Sequence, residues 1–178
     1  MNGSAPRPAT PEELLAFLAR LGIETTTHEH APVFTVVEAG RLRGALPGAH
    51  CKSLFLRDKK GAAFLVVCLE DRRLDMKALA GLLGAGRLSF ASPERLMARL
   101  GVVPGAVTPF AALNDRPAEG VRVAVVLDAE MMAADIVNYH PLVNSRTTAI
   151  RPADLLRFLA ATGHAPRILD LEPATRHD

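Results

Sequence analysis

One lysine, Lys52, interrupts the otherwise apolar run His50-Cys51-Lys52-Ser53-Leu54-Phe55-Leu56. Where its neighbours are buried, a lysine must reach solvent, an anion or a hydrogen-bond partner, because an uncompensated buried charge is costly. Lys52 is therefore the first candidate for anion binding or charge stabilisation; the ordinary alternative is a strand-end lysine that snorkels to water. Gly105-Ala106-Val107-Thr108-Pro109 is a glycine-to-proline loop whose backbone N–H and C=O groups can face a small polar ligand, although a plain turn carries the same residues. Tyr139-His140-Pro141-Leu142-Val143-Asn144 sets a histidine, a proline and an amide between two expected strands, the kind of loop where sites form. A histidine there serves either as a structural hydrogen-bonding group or as a site residue.

Other chemistry-bearing residues have plainer readings. Cys51 beside Lys52 is an activated thiol or, more simply, a core cysteine. His28-Glu29-His30 puts two imidazoles on one face of an extended strand, with no third metal ligand nearby in sequence, so no metal site is expected. Arg57, Lys59, Lys60, Arg72, Arg73 and Lys77 form either a patch for a polyanion or a solvated face. The two cysteines are too few for a disulfide framework and read as reduced thiols.

The elements that must position these residues are legible from caps and spacing. Thr10, Pro11 and Glu13 form a helix start, followed by Leu14, Leu15, Phe17, Leu18 and Leu21 at helical spacing and by Gly22. After a threonine-rich extended stretch, Thr35 with Glu38 predicts a shorter helix near residues 36–44. CKSLFLRD, the turn Lys59-Lys60-Gly61 and AAFLVVCLE predict a β-hairpin. Asp75 caps a helix over MKALAGLL, RLSFA reads as a short strand, and Ser92-Pro93 starts a helix ending before Gly101. Residues 101–114 hold two glycines and two prolines and read as an irregular loop. VRVAVVLD, DIVNYH and RTTAIRP read as strands, and PADLLRFLAATG as a closing helix ended by Gly163.

Hairpin-like pairs mixed with separate helices give an α+β class with a mixed, mainly antiparallel sheet flanked by helices. At 178 residues, with 49% hydrophobic and 22% charged residues, one ordinary domain is expected, with frayed ends at about 1–9 and 172–178. The formal charge of +2 means that binding a polyanion needs positive charge concentrated locally. Seven Phe, one Tyr and no Trp leave few stacking platforms for single-stranded RNA. No apolar h-region opens the sequence and no apolar run approaches a membrane span, so the cytoplasm is the expected location.

Taken together, Lys52 before LFLRDKK, GAVTP, and HPLVN followed by Thr147-Thr148, with the entry His30-Ala31-Pro32-Val33-Phe34-Thr35, resemble the YbaK/ProX family. That family comprises the editing domain inserted in bacterial prolyl-tRNA synthetases and its freestanding relatives, and this sequence looks most like the branch that clears Ala-tRNA(Pro). The resemblance covers nearly the whole chain and implies a mixed, mostly antiparallel sheet wrapped by helices. It implies Lys52, Gly105 and His140 as catalytic residues. Lys52 would hold the 3′-terminal adenosine phosphate or polarise the site, Gly105 would open a GxxxP loop that positions the carbonyl, and His140 would shape the amino-acid pocket. Ser53, Ala106, Val107, Thr108, Pro109, Pro141, Leu142 and Asn144 are the implied substrate-binding surroundings. Ser53 stands where relatives often carry asparagine; a hydroxyl lacks the amide's paired donor and acceptor, which bears on substrate preference.

The implied reaction is hydrolysis of the ester in Ala-tRNA(Pro), without cofactor or metal, with proline excluded by size. The expected partners are the acceptor end of tRNA(Pro) and prolyl-tRNA synthetase, with no membrane, and the chain a monomer or weak dimer. An aminoacyl ester is already activated, so positioned water and a stabilised oxyanion suffice. The alternatives are a Cys-tRNA(Pro) deacylase, a non-catalytic tRNA- or synthetase-binding module, and a binder of free amino acid or nucleotide.

Overall fold

The computed structural model describes residues 6–32, 36–116 and 120–177. Helix α1 (Pro11–Arg20) starts at a reciprocal cap: Thr10 Oγ1 accepts from the Glu13 N–H at 3.1 Å, and Glu13 accepts from the Thr10 N–H at 2.8 Å. Strand β1 (Thr26–Glu29) and helix α2 (Val36–Ala45) follow. The expected Thr35 cap, with Val33 and Phe34, lies outside the described residues.

The hairpin is present as β2 (Ala49–Arg57) and β3 (Ala63–Leu69), with Arg57 opposite Ala63 and Lys52 opposite Cys68. Asp58 closes its turn, Oδ1 accepting from the N–H groups of Lys60 and Ala62 at 2.9 and 3.0 Å. Helix α3 (Met76–Leu83) is capped by Asp75, strand β4 (Ser89–Phe90) follows, and helix α4 (Pro93–Leu100) is capped by Ser92.

The next segment departs from expectation. Within the expected loop, Thr108 caps a 3-10 helix, Pro109–Asn114, whose Phe110, Ala111 and Ala112 are buried. Thr108-Pro109 is the same start chemistry as Ser92-Pro93, and burying Phe110 contributes about 2 kcal/mol, enough to favour one compact turn.

Strand β5 (Ala124–Asp128), helix α5 (Ala129–Met132), β6 (Val137–Tyr139), β7 (Arg146–Ile150), α6 (Pro152–Ala161) and β8 (Arg167–Leu169) complete the regular elements. The sheet runs β1-β7-β6-β2-β3-β5-β8, with β4 also on β2. It is mixed and mainly antiparallel: β1·β7, β6·β7, β2·β3 and β2·β4 are antiparallel, and β2·β6, β3·β5 and β5·β8 parallel.

One apolar cluster gathers Leu14, Leu18, Phe110 and Phe158, with edge-to-face ring contacts of Phe110 to Phe158 at 5.5 Å and to Tyr139 at 5.8 Å. A second gathers Leu56, Val66, Cys68, Leu79 and Leu171. The fraying expected after Leu171 is corrected through His177. Leu171 and Ala174 are fully buried around a 3-10 turn, Glu172–Ala174, and Thr175 bridges Leu74. Near the other end the Ala9 N–H donates to Asn114 Oδ1 at 2.9 Å, so fraying does not reach residue 9. No helix among the described residues is long and apolar enough to cross a membrane.

Candidate functional site

The sheet splits along one edge of β2. Strand β6 pairs with β2 at Ala49 and His50, and β4 pairs with it at Leu56 and Arg57. Between them, among the described residues, no strand covers that edge from Cys51 to Leu54. A cavity of about 300 Å³ lies here, lined by Lys52 and Ser53 of β2, Gly105 and Val107, and His140. Because side chains alternate across a strand, Lys52 shares a face with Leu54 while Cys51 and Ser53 share the other. Both faces reach the cavity because it opens at the uncovered edge.

Five of the residues expected at a site thus converge: Lys52, Ser53, Gly105, Val107 and His140. The others do not line the cavity. Ala106, Thr108, Pro109, Pro141 and Leu142 are buried supports. Thr108 Oγ1 accepts from the Phe110 N–H at 3.3 Å. Asn144 stands behind the loop; a Cβ on Gly105 would lie 3.7 Å from its amide nitrogen.

Two backbone features shape the walls. Gly105 has φ of +88°, a conformation that side chains rarely adopt. Leu142 has φ of +69°, with its N–H donating to the His140 carbonyl at 3.0 Å. That left-handed leucine costs about 1–3 kcal/mol, held in place by burial of its side chain, and it fixes the turn directly after His140.

His140 Nδ1 donates to the Arg146 carbonyl at 3.0 Å; a carbonyl only accepts, so this nitrogen carries the proton and Nε2 keeps its lone pair. Burial lowers the His140 pKa, with His30 adding to the effect, against an opposing pull from the Arg146 carbonyl and Glu70. The ring is therefore neutral near pH 7. His30 stands 6.4 Å away between ring centroids, its Nε2 within 2.8 Å of Thr147 Oγ1 and its Nδ1 within 2.7 Å of the Ala31 carbonyl. Among the described residues, no three His, Cys, Asp or Glu side chains gather as a metal site.

Burial pushes the Cys51 thiol up to about 12 and the Cys68 thiol up to about 11, away from the thiolate form. Cys68 is buried, whereas Cys51 is half-buried, packed against the first apolar cluster and also lining the cavity. Lys52 donates from Nζ to the Arg72 carbonyl oxygen.

Glu70, Asn138 and Thr147 also line the cavity and were missed as site residues. Glu70 was within reach of sequence reasoning: extending the hairpin register from its turn places it beside His50, where its N–H donates to the His50 carbonyl at 3.0 Å. Asn138 is recognisable only from tertiary structure, its amide donating to the carbonyls of Pro47 and Ala49. Of the expected basic patch, Arg72 is buried in ion pairs and does not belong to a surface. Lys59 and Lys60 sit at the hairpin turn, and Arg57 beside them is already roughly 16 Å along β2 from Lys52.

A neutral histidine, an ammonium held by a carbonyl and a loop whose glycine takes a positive φ can together polarise a small polar group. Fold and cavity define a mixed α+β domain with a small polar pocket at a split in its sheet. The aminoacyl-tRNA editing domain model matches residues 30–158, and the chain belongs to that family.

It is 44% identical over 174 residues to the zebrafish (Danio rerio) prolyl-tRNA synthetase associated domain-containing protein 1, covering 96% of this chain and 93% of that one. It is 37% identical to the prolyl-tRNA editing protein ProX of Acetoanaerobium sticklandii, over 90% of this chain and 96% of the relative. A more distant relative, the multifunctional Ser/Thr-tRNA deacylase ProXp-y of Escherichia coli, is 28% identical over 62% of this chain and 68% of its own. Among solved structures, a candidate trans-editing enzyme for prolyl tRNA synthetase superposes with a TM-score of 0.67 at 24% identity, covering 91% of this chain and 98% of that one. It shares the fold.

Proposed function

We propose that this protein hydrolyses the ester of mischarged Ala-tRNA(Pro) in trans, releasing alanine and intact tRNA. The observation that carries the reading is the convergence of Lys52, Ser53, Gly105, Val107 and His140 on one cavity, in a chain of the editing family. A volume of about 300 Å³ is at the lower end for small-ligand pockets and takes a small acyl group; rejection of proline in this reading depends on the shape of the wall that meets the acyl group, not on total volume.

In this reading the Lys52 ammonium, with one N–H on Arg72, turns its remaining donors to the substrate's phosphate or ester oxygen. The Gly105 loop presents backbone groups to the carbonyl as charge develops on its oxygen. His140 Nε2 accepts a hydrogen bond from the attacking water. Water adds to the carbonyl carbon, the acyl C–O bond to the ribose breaks, and the water's proton goes to the departing ribose oxygen. No protein nucleophile takes part. Exposed cations outside the cavity meet the acceptor arm, and prolyl-tRNA synthetase is the natural supplier of the misacylated tRNA.

The test is deacylation of Ala-, Cys-, Ser-, Thr- and Pro-tRNA(Pro) by purified protein. Release of alanine with Pro-tRNA(Pro) spared supports the proposal. Preferential release of cysteine, serine or threonine moves the substrate assignment, and binding without turnover of any of them overturns the enzymatic reading.

The glycine loop gives a second check. Gly105→Ala has space for its methyl but must adopt φ near +88° or relax, at a cost of about 1–2 kcal/mol. The expected result is a fall of about tenfold in kcat with only a small drop in Tm, because loop displacement costs positioning more than packing. Unchanged kcat would remove the loop from the mechanism.

A further inference from the structure

Lys52 does not end in open solvent; its acceptor, the Arg72 carbonyl, belongs to a residue that is itself tightly held. The Arg72 side chain is 5% exposed. Its Nε donates to the fully buried Asp128 at 2.8 Å, Nη2 to Glu130, and Nη1 to Glu172 at 3.0 Å and to Thr175 Oγ1 at 2.6 Å. The backbone beside it is pinned by the same tail. The Asp75 N–H donates to the Ala174 carbonyl at 2.8 Å, Thr175 bridges Leu74, and the Arg176 N–H donates to the Arg73 carbonyl at 2.8 Å. Residues 72–75 therefore carry the lysine's acceptor while bonded to the chain's last turn.

Closing the second apolar cluster does not require this polar network. Leu171 and Ala174 already do so by burial, whereas a desolvated arginine with carboxylates is often no more stabilising than apolar packing. The network fixes a geometry. A lysine's flexible stem has many rotamers, and a single well-placed carbonyl selects those that bring its ammonium to the cavity. We infer that Arg72 and the tail Glu172–Thr175 form a clamp that positions the Lys52 ammonium for the reaction. Arg72, Glu172 and Thr175 are positioning residues in this scheme, acting through Lys52. The inference rests on the proposed role of Lys52 and adds the C-terminal turn to the machinery.

The test uses the full chain carrying Glu172→Gln and Thr175→Val together, which spares Asp128, Glu130 and the tail's apolar contacts. Two quantities are read well below Tm: kcat and KM for Ala-tRNA(Pro), and the 15N-detected ammonium signal of Lys52, assigned by its disappearance in Lys52→Arg. The expected result is about a tenfold lower kcat, KM changed by less than about twofold, and a Lys52 signal broadened by faster exchange. A folded double variant that keeps kcat, or keeps the ammonium signal unaltered, overturns the clamp. Full activity in Lys52→Ala would instead remove the catalytic role of the lysine, and the ammonium signal would still decide whether the tail holds it.

Discussion

Lys52→Ala is expected to lower kcat for Ala-tRNA(Pro) by about 10²–10³-fold, the range lost when one preorganised donor to a developing charge is removed. The variant should fold. Lys52 is only half-buried, and its bond to the Arg72 carbonyl is worth about 1 kcal/mol in stability. Far-UV circular dichroism and Tm should therefore stay close to wild type while single-turnover deacylation collapses. Lys52→Arg should not rescue, because a planar fork cannot reproduce a compact ammonium that shares its donors between the Arg72 carbonyl and a substrate oxygen. A folded Lys52→Ala protein with wild-type kcat would remove the lysine from the mechanism.

What the sequence disclosed was local. The Thr10–Glu13 box, the Asp75 and Ser92 caps and the hairpin around Lys59-Lys60-Gly61 each depend on residues within a few positions of one another, and each appears where expected. The 3-10 helix from Pro109 was hidden because the upstream glycines and prolines outweighed a short buried run. β8 and the C-terminal turn were hidden for another reason. Their partners are Asp128, Arg72 and Leu74, far away in sequence, and isolated three-residue segments carry no period to read.

Arg72 illustrates the same limit. Beside Arg73 it reads as a surface cation, yet the groups that bury it are Asp128, Glu130, Glu172 and Thr175, 56 to 103 positions further on. At the site, resemblance to a family pointed to Lys52, Gly105 and His140. The split between β6 and β4 explains why three loops and strand ends so distant in sequence can face one cavity.

Asp115→Ala should be among the most destabilising single substitutions in this chain, by about 3–5 kcal/mol, because it strands buried partners. Asp115 is 2% exposed, directly after the 3-10 helix that the GAVTP segment leads into. Its carboxylate receives His164 Nε2 at 2.8 Å, the Val123 N–H at 2.7 Å and Arg99 Nη2 at 3.0 Å, while Arg122 donates to its carbonyl at 3.0 Å. It thus joins the ends of α4 and α6 and the approach to β5 to one point. Burial pushes its pKa up, but the bonds from His164, the Val123 N–H and Arg99 outweigh burial and leave it below the ordinary value.

The sign follows: a carboxyl with a folded pKa below its unfolded value of about 3.9 contributes stability above that pH, and loses it as pH falls through the folded pKa. Urea melts from pH 6 to pH 2 should show the wild type losing stability below about pH 4, and Asp115→Asn should lack this component of the loss. Equal acid sensitivity in both proteins would assign the transition to other carboxylates. If Asp115→Ala also lowers kcat under conditions where it remains folded, the 3-10 helix transmits the position of this buried carboxylate to the Gly105 loop; an unchanged kcat would leave Asp115 a purely structural anchor.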